Sequence, residues 1–287
     1  MSNSVRTLRH PGPVNDDRIQ VSPCRVQLTD ISLEPGISVN DSVALAMKKR
    51  GVTSAYVRLD GVAVEPFRYV VPAEPPDGDH AAWYSETYAP SGAAVTLTAG
   101  LFLGRRDGSP FTHCHGLWRI PNSDLRGGHL LTAESTVAAK AQVPAWMITG
   151  ALLDVKDDKE TNFRLFSAQP QTLLHEDRSP RGLLCTIRPN VDLASTIASL
   201  CQIHGFSKAT VHGIGSLIGG KLHGSPDIAS FVTEVLILDG HVTGQLSSLN
   251  VAAVGTDGHI SRGTLGGENL VGVTFELLIE EAQNARV

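Results

Sequence analysis

The second half of the chain shows a clear order of apolar and polar stretches. Residues 181–188 form a strand-like stretch. Apolar residues then recur at helical spacing between Val191 and His204, at Leu193, Ile197, Leu200 and Cys201. Gly205 ends this helix. Strand-like stretches follow at 207–212, 233–242, 250–254 and 271–279. The pattern therefore predicts a strand, a helix and then several strands.

The first half of the chain repeats this order. A helix is predicted at 38–50, because Val43, Ala46 and Met47 share one face, and a glycine follows it. Strands are predicted at 54–61 and 94–100, before a histidine-rich hairpin. The same order in both halves indicates an internal duplication.

Polar and proline-containing segments divide the chain into four parts. We expect an N-terminal arm at 1–22, either ordered or loose, and a first domain at 23–170. Residues 171–180 are the predicted linker, and 181–287 form the second domain. The predicted fold class is α+β, with a mixed or antiparallel sheet and a packed helix in each domain.

Composition narrows the possible functions. The chain has 287 residues, 41% of them hydrophobic, which is typical of a soluble globular protein. Its formal charge is -5 and its longest basic run is Lys48-Lys49-Arg50, so nucleic acid is not the expected partner. No apolar run approaches the ~18 residues that a membrane span needs. The four cysteines have no Cys-x-x-Cys spacing, which suits a cytoplasmic protein.

Three histidines lie in one short stretch, and their spacing suggests a metal site. His113 and His115 are two residues apart, so on a strand they point to the same side. A turn signal at 121–124 returns the chain so that His129 can join them. Three imidazoles with a free fourth position are the arrangement of catalytic zinc, although iron, nickel or copper would also suit them. The alternative is that all three are ordinary exposed residues.

A catalytic metal also needs a proton carrier and groups that bind the substrate. Glu86 and Glu134 are the candidates for acid and base, although solvated carboxylates are the commoner case. Two arginines could clamp a carboxylate and two aromatic residues could line a pocket beside them: Arg58, Arg68, Trp83 and Tyr84. Glu234 stands in an otherwise apolar strand, which predicts a buried partner or an interface position.

Several motifs together resemble the PPC domain, also called PCC, of plants and prokaryotes. They are Gly213-Ile214-Gly215-Ser216, the segment 234–240 with its Glu-x-Leu-x-Leu-x-Gly pattern, and the hairpin that ends in Gly127-Gly128-His129-Leu130. The resemblance covers nearly the whole chain as two tandem domains. It implies an α+β fold, assembly as a homotrimer, and a metal site, commonly zinc, at His113, His115 and His129. Plant members carry an AT-hook. The AT-hook core is missing from this chain, and it is not supplied by Arg178-Ser179-Pro180-Arg181-Gly182. The chain therefore resembles the bacterial type.

The two copies differ at the histidines. Aligning the hairpins places Ser248, Asn250 and Thr264 where the first copy has its three histidines, so we expect no metal in the second copy. We expect a metal-dependent hydrolase or lyase that acts on a small oxygenated or carboxylate metabolite by hydrolysis or hydration/elimination. The alternative is a DNA-associated or ligand-sensing regulatory protein with a structural metal.

Overall fold

Strands dominate the computed structural model, which describes residues 6–172 and 179–282. The first repeat contains, in chain order, β1 (Ile19–Leu33), α1 (Val39–Lys48), β2 (Ser54–Arg58), β3 (Ala63–Val64), β4 (Tyr69–Val70), β5 (Pro72–Ala73), β6 (Trp83–Tyr84), β7 (Ala94–Arg106), β8 (Ser109–Arg119), β9 (Arg126–Leu130), β10 (Ala141–Thr149), β11 (Ala151–Asp157) and β12 (Arg164–Pro170). The second repeat contains β13 (Arg181–Ile187), α2 (Leu193–Ile203), β14 (Lys208–Leu217), β15 (Thr233–Thr243), β16 (Leu246–Val254), β17 (Ile260–Thr264) and β18 (Val271–Glu281).

One sheet of 16 strands runs through both repeats. From the centre outward the first repeat reads β1, β10, β2, β7, β8, β9, and the second reads β13, β18, β14, β15, β16, β17. The two series have the same topology, because each begins with the first strand of its repeat. Next comes the strand that follows the outer hairpin in the chain, β10 or β18, and then the strand after the helix, β2 or β14. The tandem order predicted from the sequence is thus visible in the strand order.

The predicted α+β class is wrong. Helix is confined to two segments of 10 and 11 residues in the described part of the chain, and nearly all strand pairs are antiparallel. The sheets of the two repeats also do not stay separate, because β1 pairs with β13 and places Cys24 opposite Gly182. In this pairing, the backbone groups of β1 and β13 form hydrogen bonds with each other. In two separate sheets, the same groups would lie unpaired at exposed edges. The hydrophobic pattern of each repeat does not encode that junction.

Both short helices lie where apolar spacing predicted them. Ser38 caps α1 by accepting a hydrogen bond from the Asp41 amide, and Asp192 caps α2 through the Ser195 amide. Each helix buries one apolar face, such as Val43 and Met47 of α1, against its own repeat. Among the described residues, neither helix has the length and apolar character needed to cross a membrane.

The predicted domain boundaries remain predictions. Residues 173–178 of the predicted linker lie outside the described residues, as do 1–5 of the arm and 283–287 of the second domain. Residues 6–18 contact the body of the protein, for example through Arg18, which bonds to the carboxylate of Glu160 at 2.6 Å. Residues 6–18 of the predicted arm are therefore docked on the protein, and residues 19–22 already belong to β1.

Three apolar clusters hold the sheet together. One belongs mainly to the first repeat and one to the second. The third joins them and includes Tyr56 and Phe102 from the first repeat with Ile214, Leu236 and Leu278 from the second. This shared cluster packs β14 and β15 beside β7 and β8, and so fixes the second repeat against the histidine-bearing strand.

Candidate metal centre

The hairpin of β8 and β9 brings the three predicted histidines together. His113 and His115 alternate on β8 with Cys114, which points the other way into the first core. His115 lies directly opposite His129 of β9. The Nε2 atoms of His113 and His115 are 2.9 Å apart, and one ligand atom from each of the three residues lies within 4.8 Å of the others. The predicted convergence of the three imidazoles is therefore confirmed.

The glycines before His129 allow this close approach. Gly128 has a φ of 144°, and a Cβ atom there would lie 2.3 Å from the Val70 carbonyl oxygen of β4. A Cβ on Gly127 would meet Leu117 at 2.6 Å and Val254 of the second repeat at 2.8 Å. Any side chain at either position would push β9 away from its neighbours. The Gly-Gly-His pattern thus positions the third imidazole.

Buried groups of the second repeat hold His113 and His115 in place. The Nδ1 atom of His113 lies 3.0 Å from Glu276 Oε2. The Nδ1 atom of His115 lies 3.1 Å from the Val235 carbonyl oxygen, and its Nε2 atom is 2.5 Å from Glu234 Oε2. Glu234 is 8% exposed and Glu276 is 1% exposed, so both carboxylates need these partners.

The histidines differ in their tendency to bind a proton. Burial opposes protonation of His115, but the Glu234 carboxylate and the Val235 carbonyl outweigh it, so the His115 pKa is raised. Burial, and then the nearby His113 and His115, lower the pKa of His129 well below its ordinary value. His129 is therefore neutral at physiological pH. Its buried Nδ1 atom has no hydrogen-bond partner.

A cavity of about 240 Å³ opens beside the histidines. Its walls come from both repeats: Trp83, Phe111 and Phe166 from the first, Ser216 and Thr274 from the second. All three histidines and both glutamates also line it. The arrangement combines nitrogen ligands, buried carboxylates and an enclosed space that a small molecule could enter.

The structure brings only part of the predicted catalytic set to this cavity. Trp83 and Tyr84 line it, and Tyr84 packs edge-on against His129 with ring centroids 5.1 Å apart. Glu86 and Glu134 are exposed, and neither lines the cavity. Their acid–base role stays a prediction.

The two predicted arginine clamps lie elsewhere. Arg58 donates to the Leu238 carbonyl oxygen at 3.2 Å and also bonds to Thr98. Arg68 donates to the carbonyl oxygen of its own neighbour, Phe67, at 3.0 Å. Neither arginine lines the cavity, and their role in binding a substrate stays a prediction.

Sequence reasoning missed Glu276 and underestimated Glu234. For Glu234, in its otherwise apolar strand, the sequence predicts only a buried partner or an interface position. Glu276 carries the same signal, because it stands between Phe275 and Leu277 in β18. A buried carboxylate in each of two apolar strands could have pointed to a shared polar partner.

The second repeat has no equivalent cluster in the described residues. Asn250 lies opposite Thr264 in the β16–β17 hairpin, as His115 lies opposite His129. Ser248 and Asn250 are exposed. Within residues 6–172 and 179–282, the three histidines form the one group of His, Cys, Asp or Glu side chains with metal-ligand geometry. A metal-free second copy remains our expectation.

Comparison with known proteins supports the resemblance seen in the sequence. A plant- and prokaryote-conserved (PPC) protein of Pyrococcus horikoshii aligns with 56% of this chain and 100% of its own, at 18% identity and a TM-score of 0.40. A metal-containing protein of Archaeoglobus fulgidus aligns with 56% of this chain and 99% of its own, at 14% identity and a TM-score of 0.39. The predicted resemblance to PPC proteins is confirmed for about half of the chain.

No protein-family model matches the chain, and no curated protein matches it. The expected homotrimer and the expected cytoplasmic location stay predictions.

Proposed function

We propose that this protein binds one divalent metal ion, zinc, through His113, His115 and His129. The ion serves a reaction on a small oxygenated substrate, by hydrolysis or by hydration/elimination. The observation that carries the proposal is the position of the three imidazoles on the wall of a cavity that also contains two buried carboxylates. A purely structural site would not need such a space beside it.

The donor atoms fit a metal of this kind. The Nε2 atoms of His113 and His115 lie 2.9 Å apart, and the Glu234 carboxylate lies beside the His115 Nε2 atom, at 2.5 Å. The two Nδ1 atoms bond to Glu276 and to the Val235 carbonyl. Partners of this sort on the outer nitrogen orient ligating histidines in metal sites. His129 is neutral and offers a buried nitrogen without a partner. Three imidazole ligands and an open position suit catalytic zinc.

The bound ion would polarise a substrate carbonyl or lower the pKa of a bound water to about 7. The chain itself supplies the proton transfer. Glu234 Oε2 lies at the histidines inside the cavity, so it can accept a proton from water and return it to a leaving group. Glu276 keeps the His113 ring in place. In this proposal Glu234 takes the acid–base role that the sequence suggested for Glu86 or Glu134.

Metal analysis of the purified protein tests the proposal. We expect about one zinc ion per chain in the wild type, and loss of that zinc in His113→Ala and His129→Ala. Thr264→Ala is the matched control, because Thr264 has the position of His129 in the second repeat. Inductively coupled plasma mass spectrometry provides the measurement. Unchanged metal content in both histidine variants would contradict the proposal.

A further inference from the structure

Aromatic side chains form much of the cavity wall beside the histidines. Of the eight Phe, three Trp and four Tyr residues in the chain, five line this one cavity. The rings of Trp83 and Phe163 stack with centroids 5.4 Å apart and planes at 24°. Phe111 and Phe166 meet edge-on at 5.6 Å. Such a wall offers flat apolar surface to a ligand.

Among the described residues that line the cavity, no arginine or lysine side chain is free to pair with an anionic ligand. Arg164 is the one arginine or lysine among its described lining residues. Its guanidinium already bonds to both oxygens of Asp107, at 2.6 and 3.0 Å, and lies 3.3 Å from Asp157. Glu234 and Glu276 offset the charge of a divalent ion on the three histidines. A substrate carboxylate on the aromatic wall, away from the ion, would lose its hydration without gaining an ion pair.

The volume sets the size of the ligand. An apolar cavity of about 150 Å³ can hold one benzene molecule. The cavity here is about 240 Å³, which leaves room for one ring and a small polar group. The polar group of the ligand would contact the histidines and carboxylates, which lie together on one part of the cavity wall.

We propose that the substrate is a small neutral molecule with one aromatic ring and one polar head that reaches the histidines. This inference depends on the proposed metal site. The ring lies against Trp83, Phe163 and Phe166, and the polar head is the group on which the reaction takes place. A neutral aryl ester or amide is the class of molecule that fits this description.

Three hydroxamic acids test the proposal by calorimetry on the zinc-loaded protein. They share the metal-binding head and differ in the rest of the molecule: acetohydroxamic acid, benzohydroxamic acid and 4-carboxybenzohydroxamic acid. Because the phenyl ring would bury much more apolar surface than the methyl group, we expect benzohydroxamic acid to bind about tenfold or more tightly than the methyl compound. The carboxylated ring should bind more weakly than the plain ring.

Substitutions of aromatic residues test which part of the cavity wall causes the preference for the phenyl compound. Trp83→Ala and Phe163→Ala should remove most of the preference for the phenyl compound while zinc content stays unchanged. Tyr88→Ala is the control, because Tyr88 is an exposed aromatic residue in the same segment that does not line the cavity. Phe163→Leu retains apolar volume and tests whether the ring itself matters.

The outcomes separate the two proposals. Equal binding of the methyl and phenyl compounds would overturn the aromatic substrate and leave the metal site intact. Tighter binding of the carboxylated compound would overturn the neutral substrate. If zinc is retained but none of the three compounds binds, the metal has no open position, and the proposed function fails together with this inference.

Discussion

The hairpins β8–β9 and β16–β17 have the same strand pairing, but they differ in whether the other repeat covers them. His115 faces His129 across one hairpin, and Asn250 faces Thr264 across the other. His115 is only 2% exposed, because β14, β15 and β18 of the second repeat cover it, whereas Asn250 lies on the surface. Of the two hairpins, the one with buried histidines is therefore the one to which the other repeat supplies carboxylates.

Loss of one imidazole gives the largest effect in this comparison. His115→Ala should lower the free energy of unfolding by about 3 kcal/mol, because it leaves the buried Glu234 carboxylate without its partner. Asn250→Ala, at the equivalent exposed position, should change it by less than about 0.5 kcal/mol. Urea unfolding of both variants with a chelator present measures the difference without a metal contribution. Similar values for the two variants would mean that the hairpins do not differ in this way.

The supporting carboxylate of the second repeat should matter next. Glu276→Gln should weaken zinc binding about 10- to 100-fold, because the carboxylate that orients His113 is lost. Glu281→Gln is the matched control, since Glu281 lies in the same strand and pairs with Arg181 near the surface. Competition with a chromophoric chelator measures both affinities. An unchanged affinity in the Glu276 variant would show that the second repeat does not support the site.

A third contrast, smaller for each pH unit than the effects above, concerns the residues that follow Val57 and Val211. In the first repeat this residue is Arg58, a cation, and in the second it is His212, which packs against Tyr56 and Trp146. Burial, followed by the charges of Arg58 and His241, lowers the pKa of His212 to about 3. The unfolded chain binds this proton near pH 6.5, so the stability contribution of neutral His212 is present above pH 6.5 and is lost as the pH falls toward 3.

His212→Phe tests this prediction. Through this group, the free energy of unfolding of the wild type should fall by at most about 1.4 kcal/mol for each pH unit below 6.5. The variant should lack this part of the decrease. His259→Gln removes an exposed histidine and should leave the pH dependence unchanged. Unfolding curves between pH 7 and pH 4 provide the comparison. Parallel curves for wild type and His212→Phe would assign the acid sensitivity to other groups.

Local patterns were sufficient to predict several elements and three of the site residues. Apolar spacing placed α1 and α2, because a helix needs only one buried face to be recognised. Alternation on β8, a turn and two glycines placed His113, His115 and His129 together, because all of these relations lie within one hairpin. The predicted substrate-binding and acid–base residues were harder to place from local patterns. Trp83 and Tyr84 reach the cavity, while Glu86 and Glu134 stay in solvent.

The sequence by itself determined the duplicated order of elements and the histidine hairpin, since both depend on contacts between residues close in the chain. Only the tertiary structure decided that β1 and β13 join the two repeats into one sheet, which made the α+β class wrong. It also decided that Glu234 and Glu276 meet His115 and His113, across 119 and 163 positions of sequence respectively. Pairing and burial over such separations depend on how whole strands pack, and no local pattern encodes them.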